Sequence, residues 1–535
     1  MVAGFFINFT ARTKYIMITN FIKKNYPKDF LLIIIFFSCF AVLIHLYSNL
    51  FANYGIFRDE FYYIACSKHL AAGYVDQPPF SIFILAIVRL IFGESLFALR
   101  LFPALISGII VFITGLITYE IGGKKTSVFL ACLSIAVSPI FLGMNLIYSM
   151  NTFDMLFWIL GYFTVIRMIK TENKKLWIWL GVIMGLGLLN KISMGWFAFG
   201  LFASLILTNK RIKLKSIDPW ISFLIAAVIF SPFLIWNFTH DFAHLEFIRN
   251  ASQYKYSGIN IIDFLFGLIP ILNPAAIFIW LPGIFYFFFN KDGKNFKQIG
   301  IIFVTTLIIL IINGHSKSEY LTAAFPPVFA GGSILVEKLT SKKIFVWIKF
   351  TLPVLILAAG LLILPFALPI LPVKSFIKYE NTLGRVPRSS ESKELSWLPQ
   401  FYADMFGWEK MAKTFSDVYE NLPDSVKAST FIFVNNYGEA GALQYYCSKY
   451  NLPPVVSPHN NYWYWGLDKV KNKKYVIILG GTKKDHYDAC SKVDSAAVFK
   501  CEYCMPYENN QVLFFCKLKE NFDLRAIWIR LKSFI

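Results

Sequence analysis

Long apolar stretches separated by short polar loops run along this chain from residue 30 to residue 372. A helix needs about 20 apolar residues to cross a bilayer core. Window hydropathy resolves about eleven such spans, near 30–50, 96–121, 126–142, 148–169, 176–190, 192–208, 219–237, 264–289, 299–313, 319–337 and 344–372. The shortest, between 176 and 208, read either as half-spans or as a tight hairpin. Loop 51–95 is long enough to hold structure of its own: residues 60–71 predict a helix, and 80–92 predict a helix lying at the membrane interface. A second long loop covers 238–262.

The pattern changes after residue 373. Charged residues become frequent, the apolar runs shorten, and 431–435 and 475–479 carry the β-branched and aromatic runs of strands. Residues 438–450 are helical in pattern. The prediction is a membrane all-α bundle over residues 1–373, followed by a C-terminal extracytoplasmic α/β domain over residues 374–535. Gly480-Gly481 reads as a turn and lacks the glycine spacing of a dinucleotide site.

Charge supplies the orientation. The formal net charge is +20, but the basic residues gather in every second loop: Lys23, Lys24 and Lys28; Lys124 and Lys125; Lys170, Lys174 and Lys175; Lys210, Arg211, Lys213 and Lys215; Lys291, Lys294 and Lys297; Lys338, Lys342 and Lys343. That is the positive-inside pattern, so these loops are expected in the cytoplasm. No basic stripe with interleaved aromatics is present, which argues against a nucleic-acid partner. The N-terminal apolar run is longer than a signal-peptide core and is expected to stay as the first span, with the N-terminus cytoplasmic. An odd number of spans then puts residues 374–535 outside. Five of the eight cysteines lie there, and for Cys501-Glu502-Tyr503-Cys504 a structural disulfide or free thiols are favoured over a redox pair or half a zinc site.

The polar residues that interrupt the apolar pattern fall on the outer side. Asp59, Glu60 and Asp76 lie in the first outer loop, and Asp154 lies about one turn into the fourth span. His240, Asp241, His244, Glu246 and Arg249 follow the seventh span, and Lys317, Glu319 and Tyr320 precede the tenth. Singly, each has a plain reading as a helix-start carboxylate, a solvated loop acid or a snorkelling lysine. Together they describe a site at the outer membrane surface that a lipid reaches from the side. A lipid-phosphate-linked sugar suits it. Lys317 and Arg249 offer donors to the phosphate, and Asp59 is the candidate base for an acceptor hydroxyl. A divalent metal cation is the one cofactor suggested, with Asp76, Glu60 and His244 as candidate ligands. Trp463 and Trp465 read either as a sugar-stacking acceptor surface or as packing. The rival class is a polyprenyl-lipid or glycan transporter or flippase, which calls for internal repeats and polar residues near the midplane. A receptor with the outer domain as sensor is a further alternative.

The first outer loop, Asp59-Glu60 followed by Gly73-Tyr74-Val75-Asp76-Gln77-Pro78-Pro79, resembles that of the protein-mannosyltransferase-like glycosyltransferases, in their bacterial branch related to lipid A aminoarabinose transferase. Asn151-Thr152-Phe153-Asp154, Gly185-Leu186-Gly187-Leu188-Leu189-Asn190-Lys191, Ser231-Pro232 with Trp236-Asn237, and Lys317-Ser318-Glu319-Tyr320 with Pro326-Pro327 are similar to further family elements in the same order. The resemblance implies a GT-C fold and inverting transfer of a sugar from a polyprenyl-phosphate donor, undecaprenyl phosphate being the expected bacterial carrier. The acceptor would be a lipid, glycan or protein, and the location the bacterial inner membrane. It also implies that Asp59 is the general base, that Glu60 and Asp154 belong to the catalytic motifs, and that Lys317 and Tyr320 contact the donor phosphate. Gln77 stands where the aminoarabinose transferases carry a lysine, and their metal-binding histidine has no clear counterpart.

Overall fold

The computed structural model describes residues 25–255, 260–314, 316–385, 387, 394 and 397–535. Lys23 and Lys24 of the first basic cluster lie outside them. Among the described residues, six helices are long and apolar enough to cross a membrane: Lys28–Phe51, Leu96–Glu120, Met150–Thr171, Asp218–Thr239, Gly293–Asn313 and Lys343–Ala367. Shorter apolar helices, Lys125–Ala136, Lys175–Asn190 and Met194–Ile206, fill the bundle between them. The chain is a multi-pass membrane protein.

Helices form close to where the apolar windows fall, but several are broken. The span expected at 264–289 is two helices, Ile261–Ile271 and Ile277–Phe289, which meet at a bend of 102°. Asn273 sits at φ 73° and caps Ala275, and Pro274 follows, so the helical ladder cannot run through. Asn273 Nδ2 donates to the Ile356 carbonyl at 2.8 Å, which ties the break to the last long helix. The expected 126–142 span likewise ends at Ala136 and restarts at Pro139, because the residue before a proline is pushed out of the helical region. In place of a continuous span from 319, a 3₁₀ turn, Ser318–Ala324, leads into the helix Pro326–Thr340.

Loop 51–95 contains the two expected helices, at Arg58–Lys68 and Phe80–Phe92. The first is fixed by Glu60, which is fully buried. Its carboxylate accepts the Phe57 N–H at 2.9 Å, two bonds from the Arg100 guanidinium at 3.0 and 2.7 Å, and the Tyr148 N–H at 2.8 Å. Arg100 belongs to the Leu96–Glu120 helix and Tyr148 to the segment entering Met150–Thr171. One carboxylate therefore joins three parts of the chain.

The C-terminal region holds a five-stranded sheet of order β2-β1-β3-β5-β4. β1 (Thr430–Phe433) runs parallel to β2 (Val455–Val456) and to β3 (Tyr475–Leu479). β5 (Gln511–Leu518) runs antiparallel to β3 and to β4 (Cys490–Phe499). The helix Tyr437–Tyr445 leaves β1 through a capping box between Asn436 and Glu439. It lies directly on Arg58–Lys68, and only glycine permits this. A Cβ on Gly438 would stand 2.4 Å from Arg58 Cγ, and one on Gly441 would stand 2.9 Å from Phe61 Cβ.

Removing one partner of a buried ion pair strands the other, at a cost of about 3–5 kcal/mol. Arg100→Met is expected to destabilise the folded protein by that order, and Glu60→Gln added to it to recover at least half. Denaturation of the wild type and the two variants in detergent checks both expectations.

Candidate functional site

A cavity of about 510 Å³ opens where loops 51–95 and 238–262, the sheet domain and the ends of the membrane helices meet. Its polar wall begins with Asp59, the second residue of the Arg58–Lys68 helix, whose side chain is 38% exposed. Asp59 Oδ1 accepts the Tyr437 hydroxyl at 2.7 Å and lies 3.4 Å from Arg58 Nε. Arg58 donates to the Tyr507 hydroxyl at 2.8 Å and faces Asp404 Oδ2 at 3.5 Å. Burial opposes the guanidinium charge, yet Asp404, Tyr437 and Asp59 outweigh it and hold the Arg58 pKa well above its ordinary value.

The second part of the wall comes from the membrane helices. Asp154 Oδ1 accepts the Ser193 hydroxyl at 2.7 Å, and its Oδ2 lies 3.7 Å from Lys191 Nζ. Lys191 donates to Asn151 Oδ1 at 2.8 Å and sits over the Tyr320 ring, 5.5 Å from its centroid. Asp154 thus meets the cavity as the group that orients Lys191. Lys317 and Tyr320 line the same cavity from the turn before Pro326–Thr340. Trp196, Ile309 and Leu310 make an apolar side toward the bundle.

Asp76 and His244 complete the outer rim. Asp76 Oδ1 lies 2.9 Å from the Tyr62 hydroxyl, whose pKa burial and the Asp76 charge push far up, so it stays a donor. His244 Nδ1 is 2.9 Å from the Val75 carbonyl, which only an N–H satisfies. Burial lowers the His244 pKa, and the neutral ring leaves Nε2 as a buried acceptor with no hydrogen-bond partner among the described residues. The metal expectation fits these residues poorly. Glu60 is consumed by Arg100 and two backbone N–H groups, and among the described residues no three His, Cys, Asp or Glu side chains converge to hold an ion.

Four expected site residues are not brought to the cavity. Glu60 lies beneath it as the Arg100 partner. Arg249 points to the other side of the Ala243–Asn250 helix, into a separate groove with Asp241 and Glu246. Helix phase decides this: His244, Phe247 and Ile248 of the same helix face the cavity. Trp463 and Trp465 are half-buried, do not line this cavity and pack on neighbours. Trp463 and Trp528 exchange indole-to-carbonyl bonds of 2.9 and 3.1 Å, and Trp465 stacks on His69 at 4.4 Å. Conversely, Arg58, Lys191, Asp404 and Tyr437 line the site without having been assigned roles from sequence. The lysine ending the Gly185–Lys191 motif was a readable signal. Asp404 and Tyr437 reach the site only through long-range packing.

Behind Arg58, two further carboxyls lie close together. Glu439 accepts the Asn435 and Asn436 N–H groups at 3.0 and 3.2 Å, and Glu508 accepts Asn436 Nδ2 at 3.2 Å. Burial raises Glu439 to about 7 and Glu508 well above the usual carboxyl range, the latter helped by the Glu439 charge.

Residues 76–236 match the family model described as dolichyl-phosphate-mannose-protein mannosyltransferase. Lipid A galacturonosyltransferase RgtD of Rhizobium johnstonii is 22% identical over 320 residues, covering 58% of this chain and 65% of that protein. The crystal structure of ArnT from Cupriavidus metallidurans bound to undecaprenyl phosphate superposes with a TM-score of 0.60 at 10% identity, covering 90% of this chain and 97% of ArnT. Its apo state gives 0.57 at 10% identity, over 88% and 96%. The chain has the GT-C fold, and the resemblance to the protein-mannosyltransferase-like glycosyltransferases is borne out.

A carboxyl raised in the fold stabilises it fully below the unfolded value, and that contribution is lost as pH rises through the folded value. Stability is therefore expected to fall between about pH 4.5 and pH 7 on account of Glu439. Glu439→Gln keeps an acceptor for the two N–H groups and removes the titration. It is expected to gain on the order of 1 kcal/mol over the wild type at pH 8 and nothing at pH 4.5, as read by thermal unfolding at both values.

Proposed function

We propose that this relative of the protein-mannosyltransferase-like glycosyltransferases is itself an integral membrane glycosyltransferase. It transfers a sugar from a polyprenyl-phosphate donor, undecaprenyl phosphate in a bacterial inner membrane, to an acceptor hydroxyl at the outer face. The observation that carries this reading is one cavity with Asp59 on its outer wall, Lys191 and Lys317 across from it, and an apolar side toward the bundle. Such a cavity suits a substrate with a lipid tail, a phosphate and a sugar. The orientation is supported by the basic loops. Lys170 and Lys174 lie at the far end of the Met150–Thr171 helix from Asn151, about 30 Å away at 1.5 Å per residue.

In this mechanism Asp59 takes the proton of the acceptor hydroxyl as its oxygen attacks the anomeric carbon. The bond from that carbon to the phosphate oxygen breaks, and the polyprenyl phosphate leaves with the electron pair. A single displacement inverts the anomeric centre. Tyr437 and Arg58 hold the Asp59 carboxylate in place. The Lys191 and Lys317 ammonium groups offset the charge of the departing phosphate, with Tyr320 beside Lys191. Glu60 and Asp154 act by position, the first fixing the Asp59 helix and the second orienting Lys191. The acceptor is a lipid, glycan or protein, and the similarity to the lipid A galacturonosyltransferase favours a glycolipid.

Transfer from a panel of labelled polyprenyl-phosphate sugars tests the proposal, using membranes carrying the wild type or Asp59→Asn. The wild type is expected to release label from one donor, and Asp59→Asn to be slower by about 10²–10⁴-fold, the range for loss of a general base. Full transfer by Asp59→Asn would show that another group is the base.

A further inference from the structure

We propose that Cys501 and Cys504 form a dithiol–disulfide site whose oxidation state sets the position of Arg58 in the cavity wall. The two cysteines lie on the connection between β4, which ends at Phe499, and β5, which starts at Gln511. The turn folds back on itself. The Cys504 N–H donates to Cys501 Sγ at 3.2 Å, and the Cys504 thiol donates to the Cys501 carbonyl at 3.5 Å. Cys501 is partly exposed, whereas Cys504 is buried. Cys501 is thus the sulfur that an external disulfide meets, and Cys504 is placed to resolve the mixed disulfide. The contact with Cys504 pulls the Cys501 thiol down to about 7 and pushes Cys504 up, the distribution suited to an attacking and a resolving thiol. Cys490 and Cys516, on neighbouring strands, are both buried and lack that access.

The turn is linked to Arg58 from two sides. Downstream of Cys504, the 3₁₀ turn Pro506–Glu508 presents Tyr507, whose hydroxyl accepts from Arg58 Nη1 at 2.8 Å. On the other side, Gly407 lies against Cys501, where an added Cβ would be 2.9 Å from Sγ. Three residues before it, Asp404 faces Arg58. Tyr507 and Asp404 are positioning residues, and a change in the cysteine turn moves both ends of their grip on Arg58.

The redox step is a thiol–disulfide exchange with an oxidant of the disulfide class. The Cys501 thiolate attacks one sulfur of the incoming disulfide and displaces one thiolate. The Cys504 thiolate then attacks Cys501 Sγ and displaces the second. The protein gives up two electrons and two protons, and the oxidant leaves as two thiols. The meaning of Arg58 for transfer rests on the function proposed above, as does the exposure of this domain to an oxidising compartment.

The test is a titration of the full-length protein in detergent with defined ratios of oxidised to reduced glutathione. The protein is then unfolded, free thiols are alkylated with iodoacetamide before reduction and with N-ethylmaleimide after it, and the labels are located by mass spectrometry. Cys501 and Cys504 are expected to move together into the second label with one midpoint. Cys501→Ser is expected to leave Cys504 in the first label at every ratio. Because coupling is reciprocal, Tyr507→Phe is expected to shift the midpoint at least threefold, and Lys492→Ala, on the exposed side of β4, to leave it unchanged. First-label reaction of both cysteines at every ratio in the wild type would overturn the site. A shift of less than threefold in Tyr507→Phe would overturn the link to Arg58. Neither readout needs transfer activity, so failure of the proposed function leaves the test intact. Where transfer is measurable, its rate is expected to change at least threefold across the titration in the wild type and to stay flat in Cys501→Ser.

Discussion

The Glu60–Arg100 pair is the constraint on which the cavity end of this molecule depends. A charge pair taken out of water contributes little net stability, because desolvation offsets most of the attraction. What it contributes here is position. Arg100 supplies two donors in a fixed fork, and the remaining acceptor capacity of Glu60 is filled by the Phe57 and Tyr148 N–H groups. A shift of any of the three segments would leave a buried polar group without its partner. The N-terminal end of the Arg58–Lys68 helix is therefore held against two membrane helices. The adjacent Asp59 takes its place in the cavity from that anchorage.

The cavity itself is composite. Its cations Lys191 and Lys317 come from turns between membrane helices, whereas Asp404, Tyr437 and Gln400 come from the C-terminal region. The two contributions meet at the face where the Tyr437–Tyr445 helix lies on Arg58–Lys68, and the glycines there leave no room for side chains. Tyr63 adds a tie in the other direction, its hydroxyl accepting the Met150 N–H at 3.0 Å. Lys191 is steadied by Asp154, Asn151 and the Tyr320 ring, so the charge facing the cavity is held by groups from two other segments.

Local pattern revealed what depends on local pattern. The helices at Arg58–Lys68 and Phe80–Phe92 and the strand Tyr475–Leu479 follow from runs and periodicity, and they lie close to where the sequence puts them. The break at Asn273-Pro274 had a readable signal, but hydropathy averaged over a window hides a turn between two apolar halves. Site residues divide in the same way. Asp59, Asp76, Asp154, His244, Lys317 and Tyr320 stand out as polar residues at an apolar boundary, and all six line the cavity. Arg249 stands out equally and faces elsewhere, because helix phase against a tertiary neighbour decides which side of Ala243–Asn250 is inside. Arg100 sits near the outer end of an apolar span, and its partner is not evident without the fold.

The contact between Tyr437 and Asp59 joins residues 378 positions apart. At roughly 5–20 residues per second, a ribosome needs about 20 to 75 s to travel from one to the other. Throughout that interval the Arg58–Lys68 helix has been made, but the helix that covers it does not exist. The apolar face around Phe61 and Tyr62 stands open, and Arg58 has neither Tyr507 nor Asp404 beside it. Between Ala367, where the last long apolar helix ends, and Tyr437, the nascent chain has its long helices while its cavity lacks a wall. Premature termination in that stretch would leave an uncovered patch that quality-control proteases and chaperones can engage.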